Sequence, residues 1–291
     1  MSIVVTGATG QLGRLVIDAL LTGESAVPAG TVAAVVRDKE KAADLAERGV
    51  ELRIADYSRP ETLADAFEAG DRVLLISGSE VGQRVAQHRA VIDAAKAAGV
   101  AQLAYTGVLG GPEADFTLAD EHKATEELIL ASGLPYTFLR NGWYSENYTA
   151  NLAPVLAHGA VVANAGEGRI ASASRADYAA AAAAVLTGPA AEHLDKAYEL
   201  SGDTAWSLAE YAAEVGALTG REITYSNVPA ATHLEILTGA GVPPFFAEIL
   251  VDVDRAVEHG ALALRTGDLA RLIGRPTTPI GASIQEALAT S

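Results

Sequence analysis

The sequence contains no cysteine. That absence excludes disulfides, thiolate metal sites and any cysteine nucleophile or redox pair, so redox chemistry in this chain has to be carried by a bound cofactor. No apolar run approaches the roughly 20 residues a helix needs to cross a bilayer. No basic and apolar leader precedes the first apolar run, and the expectation is a cytoplasmic protein with no membrane partner. Positive charge is scarce, with 21 Lys and Arg against 37 Asp and Glu and a net charge of −16. Such a balance opposes a nucleic-acid surface, which needs clustered cations. It also repels a phosphorylated ligand at long range, so any bound phosphate needs individually placed arginines or lysines.

Glycine is present where it matters. Thr6-Gly7-Ala8-Thr9-Gly10-Gln11-Leu12-Gly13 spaces three glycines at three-residue intervals directly after the β-branched run Ile3-Val4-Val5. From Gln11 to Leu21 the apolar residues Leu12, Leu15, Val16, Ala19 and Leu20 follow helical spacing. The glycines therefore lie at a strand-to-helix turn, where backbone approaches a ligand closely and free N–H groups at the helix start favour a pyrophosphate. The spacing is G-x-x-G-x-x-G, a variant of the usual dinucleotide fingerprint.

The rest of the first half alternates strands with helices. Strands are expected at 31–36, 50–54, 72–76 and 102–106, with helices at 39–47, from Arg59-Pro60 onward, and at 83–98 ending at Gly99. This order predicts an α/β fold, a Rossmann-type doubly wound parallel sheet with right-handed crossovers. Further elements are a helix at 119–131, a strand at 136–139 and an alanine-rich helix around Tyr178 to Val185. The length of 291 residues accommodates a dinucleotide-binding domain over 1–150, later strands near 160–202 returning to it, and a smaller C-terminal α/β lobe over 203–291. The chain is expected to be a monomer or homodimer.

Arg37 stands at the end of the second predicted strand, where a ribose-binding carboxylate marks NAD enzymes and a cation suits a 2′-phosphate. A guanidinium there meets phosphate in bidentate geometry and predicts NADPH as cofactor, with NADH weaker. The other reading leaves Arg37 solvated, with Asp38 as a helix cap or the ribose acceptor. Asp56 and Tyr57 close the third strand and suit either the adenine edge or an ordinary capping turn. Ser77, Gly78 and Ser79 follow the fourth strand and are small enough for close passage of a nucleotide.

The tyrosine-x-x-x-lysine dyad used for alcohol–ketone chemistry is absent, since Ala119 stands four residues before Lys123. His122 and Glu126 share a helix face at i, i+4, so His122 serves either as a proton donor near pH 7 or as a packing residue. Thr106 ends the fifth strand. The segment Leu139 to Tyr148 holds Asn141, Gly142, Trp143, Tyr144 and Ser145, amides and rings suited to a carboxamide and a flat acceptor, or to a hinge between lobes. Without the dyad, an acceptor needing little acid help is favoured, and a quinone is one.

With these residues in place, the chain resembles the NmrA-like, atypical short-chain dehydrogenase/reductase family, and within it the quinone-reductase branch. The glycine turn, Ser79-Glu80-Val81-Gly82-Gln83-Arg84, Leu118 to His122, Leu139 to Tyr148 and Ile170 to Tyr178 carry the likeness. Triphenylmethane dye reductases are a second resemblance, through Tyr105-Thr106-Gly107 and Gly241-Val242-Pro243. The resemblance implies NADPH contacts at Gly7 to Leu12, Arg37, Ser77 to Ser79, the Asn141 to Ser145 turn and Arg175. It also implies direct hydride transfer to a quinone-like acceptor with neither flavin nor metal, with Asn141 and Tyr144 beside that acceptor. NmrA-like regulators that bind the nucleotide without turnover are the alternative. Gly78 departs from the branch, which carries a further serine there, and puts one hydroxyl contact in question.

Overall fold

The computed structural model describes residues 1–290. Its main sheet contains β1 (Ile3–Thr6), β2 (Val32–Val36), β3 (Glu51–Ile54), β4 (Arg72–Leu75), β5 (Gln102–Val108), β6 (Tyr136–Asn141) and a last strand, Lys196–Leu200. The spatial order is β3-β2-β1-β4-β5-β6, then Lys196–Leu200, and all neighbours are parallel. The chain winds outward from β1 to β3, then crosses back to place β4 on the other side of β1. That reversal opens a crevice beyond the carboxyl ends of β1 and β4, where doubly wound sheets take ligands.

Local chemistry explains the elements around that crevice. The residues of β1 and β2 are buried throughout, as strands covered on both faces are. The Gln11–Thr22 helix buries Leu12, Val16, Ile17 and Leu20, each worth about 1.5–3 kcal/mol when removed from water. It packs on the Arg175–Thr187 helix, whose Ala179, Ala182 and Ala183 are buried and let the backbones come close. Ser174 caps that second helix, its Oγ accepting from the Asp177 N–H at 3.1 Å. The Arg84–Ala98 helix ends at Gly99 in the left-handed conformation, φ 74°, a stop that glycine makes without strain.

Several expectations change. The segment after Arg59 is a single 3-10 turn, Pro60–Leu63, rather than a helix. Thr62 Oγ1 accepts from the Asp56 N–H at 2.8 Å and donates to the Arg59 carbonyl at 2.8 Å, local bonds that compete with helix propagation. Residues 39–47 likewise split into a 3-10 turn, Glu40–Ala42, and one short helix, Ala43–Glu47.

Of the stretch 160–202, only Lys196–Leu200 joins the large sheet. Ala160–Ala163 pairs with Thr224–Asn227, and Arg169–Ile170 with Trp206–Ser207. Alternate residues of Ala160–Ala163 are buried, the pattern of a strand with one covered face. These small pairs belong to a second apolar core, in which Trp206, Tyr211, Val215, Ile249 and Val253 meet Val108, Phe116, Leu152 and Val161. This second core therefore draws on residues well before 203. Among the described residues, no helix is long and apolar enough to cross a membrane.

Candidate active site

A cleft of about 990 Å³ lies along the carboxyl edge of β1, β2 and β4. Its floor is the glycine turn. Gly7 adopts φ +59°, open to glycine at little cost, and the Gly10 N–H closes the turn onto the Gly7 carbonyl at 2.9 Å. A Cβ on Gly13 would collide with the Gly7 carbonyl oxygen and the Ala8 backbone, so only glycine lets the helix start this close to the strand. No side chain caps that helix. Its first N–H groups, which lack intrahelical partners, are left for an anion. Gly7, Thr9, Gly10, Gln11, Leu12 and Gly13 line the cleft, and Ala8 is buried beneath it.

One end is cationic. Arg37, at the exit of β2, is 71% exposed, and its guanidinium stands 3.6 Å from Glu80. Arg14 Nη1 donates to Asp44 at 2.5 Å and its Nη2 to the Lys41 carbonyl at 2.6 Å, which draws Arg14 alongside Lys41 on the cleft wall. Asp38 Oδ1 accepts from the Glu40 N–H at 2.8 Å, a local turn one residue ahead of the cap position at Lys39. Asp56 does the same for Ser58 at 2.9 Å while still lining the cleft. Tyr57 lies beside it with its hydroxyl buried near Thr6 and Gly7. Burial pushes its pKa up to about 12, against the lowering pull of Thr6, Gly7 and Arg37. Four cations (Arg14, Arg37, Lys41, Arg175) face three carboxylates (Asp38, Asp56, Glu80) around the cleft, so the site escapes the acidity of the chain as a whole.

The middle wall is Ile76 to Glu80. Ile76 N–H donates to Thr6 Oγ1 at 3.1 Å and Ser77 N–H to Thr106 Oγ1 at 2.9 Å, which gives Thr106 a positional role. At the far end, Tyr144 and Arg175 line the cleft. The Arg175 guanidinium carbon stands 4.8 Å from the Tyr144 ring centroid, and Nη2 donates to Asn147 Oδ1 at 3.2 Å. Asn141, buried below, donates from Nδ2 to Tyr144 Oη at 3.3 Å, while its Oδ1 is buried without a partner. Burial raises the Tyr144 pKa, against the lowering effects of the Asn141 bond and Arg175.

Other residues of the 141–145 turn face elsewhere. The Gly142 N–H donates to the Leu200 carbonyl at 2.7 Å. Trp143 packs on the second core. Ser145 Oγ shares a bond with Ser172 Oγ at 2.9 Å, and Ser172 also accepts from the Trp206 indole at 3.0 Å. The turn thus brings Tyr144 to the cleft with Asn141 bonded beneath it, and ties into the second core through Trp143.

His122 lies outside the cleft. Its Nδ1 pairs with Tyr105 Oη at 2.8 Å, and burial, with the nearby charge of Arg84, drives its pKa down to about 3. A ring held neutral at pH 7 has no proton of that kind to give. Glu126 does share its helix face, but is committed to Arg140 through bonds of 2.9 and 2.7 Å.

Sequence reasoning missed Arg14, Glu80 and Gln87 as lining residues. Arg14 follows the last glycine of the turn directly, a detectable signal. Gln87 carried none, and reaches the wall by donating to Glu80 Oε2 at 2.8 Å. A second cavity of about 580 Å³ lies in the C-terminal lobe between the Ala230–Gly239 and Pro244–Glu258 helices, away from the glycine turn.

The NAD(P)H-binding family profile matches residues 7–189, from the glycine turn through the Arg175–Thr187 helix. The chain belongs to the NAD(P)H-binding family. Among curated members, quinone oxidoreductase 2 of Escherichia coli is 47% identical over 97% of each chain. The crystal structure of the Escherichia coli NADPH-dependent quinone oxidoreductase complexed with NADPH superposes with a TM-score of 0.94 at 46% identity, covering 98% of this chain and 99% of that one. Citrobacter triphenylmethane reductase superposes at 0.93 with 39% identity, over 99% of this chain and 100% of that one. This member of the family keeps the fold over its whole described length.

Proposed function

We propose that this protein is an NADPH-dependent reductase that passes a hydride to a quinone or a similar flat conjugated acceptor. The observation that carries the reading is a single cleft with a cationic end at Arg37, Arg14 and Lys41 and an aromatic end at Tyr144 and Arg175, with Asn141 bonded to the Tyr144 hydroxyl from below. The first suits a 2′-phosphate and the glycine turn between suits a pyrophosphate. The residues present fit NADPH, because glycine at 13 lets the Gln11–Thr22 helix start against the Gly7 carbonyl with its first N–H groups uncapped, and beside Tyr144 the Asn141 Oδ1 is buried with no hydrogen-bond partner among the described residues. The likeness to a quinone oxidoreductase solved with NADPH supports the same assignment.

The bound dinucleotide supplies a hydride, and the acceptor gains that hydride and a proton to become a hydroquinone. Tyr144 Oη accepts from Asn141 and keeps its own O–H to donate into the cleft. Its raised pKa holds it as a neutral donor, able to support the negative charge growing on the acceptor oxygen. Arg175 stacked on the ring adds positive charge at the same place. Final protonation from water suffices, since a hydroquinone anion is stabilised by its ring. Positioning carries most of the rate.

The test mixes pure protein with NADPH and, separately, benzoquinones, naphthoquinones and triphenylmethane dyes, and follows cofactor oxidation. Turnover with quinones is expected. Turnover with dyes alone would reassign the acceptor, and tight NADPH binding with no acceptor-dependent oxidation would make the protein a nucleotide sensor.

A further inference from the structure

The Ser77–Ser79 turn forms the middle wall of the cleft yet belongs to no helix or strand. It is held from behind by buried side chains. The Gly78 N–H donates to His88 Nε2 at 3.0 Å, and the Gly78 carbonyl accepts from Arg84 Nε at 2.7 Å. Both partners come from the Arg84–Ala98 helix, and both are buried. A Cβ on Gly78 would face Gln87 Oε1 at 3.3 Å and His88 Nε2 at 3.8 Å. A side chain at 78 thus starts toward Gln87 and His88, on the helix that backs the turn.

The hydrogen bonds around His88 allow one arrangement. Nε2 accepts from Gly78, so Nδ1 carries the proton and donates to Thr125 Oγ1 at 2.9 Å. Thr125 in turn donates to the Glu121 carbonyl at 2.8 Å. Glu121 accepts from the Gly82 N–H at 3.0 Å, in the loop that follows the turn, and stands 3.6 Å from Arg84 Nη1. With the Gly78 peptide groups tied to the helix, the hydroxyls of Ser77 and Ser79 make no hydrogen bond among the described residues.

We propose that His88 and Arg84 are positioning residues for the cofactor: their bonds to Gly78 fix the Ser77–Ser79 turn so that its two free hydroxyls face the nucleotide. The proposal rests on the NADPH reading above. A positioning residue of this kind acts on cofactor binding and leaves the hydride step alone. Leaving a buried N–H without its acceptor is costly, and a loop that escapes the cost by moving loses its alignment with the ligand.

The experiment compares His88→Leu with His88→Gln, whose Oε1 restores an acceptor near the position of Nε2. Direct NADPH titration and steady-state kinetics are read on both and on the unaltered protein. His88→Leu is expected to raise the Kd and KM for NADPH about tenfold while kcat at saturating NADPH changes little, and His88→Gln to recover most of the loss. Thr125→Val, nearly isosteric, removes the acceptor of the His88 Nδ1–H along with the local bond to the Glu121 carbonyl and serves if His88→Leu does not fold; it is expected to raise the same KM about threefold. NADPH binding unchanged in His88→Leu, or in Thr125→Val where that variant stands in, overturns the proposal, as does a folded His88→Gln no better than His88→Leu. An unaltered protein that binds no NADPH overturns the underlying reading as well, which separates the two failures.

Discussion

The Arg175 guanidinium lies over the ring of Tyr144, 4.8 Å from its centroid, at the end of the cleft away from Arg37. The two residues are 31 positions apart and meet because the Tyr144 segment and the residue Ala173, just before the Arg175–Thr187 helix, form a parallel bridge. Substitutions separate the hydroxyl from the ring. Tyr144→Phe keeps the surface on which Arg175 stacks and loses the donor, so kcat with a quinone should fall about tenfold with little change in NADPH KM. Arg175→Met keeps much of the bulk and loses the cation, so kcat/KM for the acceptor should fall by about three- to thirtyfold. Stopped-flow rates with saturating NADPH check both, and a Tyr144→Phe rate equal to that of the unaltered protein would remove Tyr144 from the chemistry.

Arg37 is exposed at the exit of β2, and among the described residues its one ion pair is the 3.6 Å approach to Glu80, which leaves its guanidinium able to meet a 2′-phosphate. Arg37→Ala should weaken NADPH binding about 10- to 100-fold, the worth of charge-assisted bonds to phosphate, with NADH nearly unaffected. Arg14→Ala should produce a smaller loss, because Asp44 and the Lys41 carbonyl already occupy that guanidinium. Calorimetric titration of both cofactors on each variant decides the point. An unchanged NADPH-to-NADH ratio in Arg37→Ala would falsify the assignment.

The buried histidines predict acid sensitivity. Burial and the charge of Arg84 hold both His88 and His122 at a pKa of about 3 in the folded protein, whereas an unfolded chain protonates histidine near 6.5. As pH falls below about 6.5 the unfolded state binds protons that the folded state refuses. Stability therefore declines toward acid, with a slope approaching about 1.4 kcal/mol per pH unit for each histidine. Denaturation midpoints measured from pH 7 to pH 5 should drop, and His122→Gln should flatten the fall. The same variant should leave the pH profile of kcat between 6 and 8 unaltered. A kcat titration that disappears with His122 would return the residue to the active site.

The two ends of the site differ in how readable they were. The glycine turn was legible because strand, turn and helix are contiguous, and each residue's conformational demand is met within a few positions. Arg37 was legible for the same reason, as the residue that ends a buried strand. His122 was not, because helix spacing puts it on the face of Glu126 without saying whether that face meets water or Tyr105. The expectation of strands near 160–202 returning to the first domain meets Lys196–Leu200 in the large sheet, whereas Ala160–Ala163 pairs with Thr224–Asn227, more than 60 residues further on, and no local signal ties those two.

By itself, the sequence determined the alternation of strand and helix, the anion-binding turn and the cation at the exit of β2, all consequences of short-range sterics and periodicity. Tertiary structure alone decided which side chains share the cleft. Tyr144 and Arg175 arrive from one lobe boundary, Arg14 is drawn in by Lys41 and Asp44, and Gly78 is turned toward His88 by a helix that begins six residues later. Such convergence is set by packing and by the pairing of buried polar groups, which depend on neighbours distant in the chain.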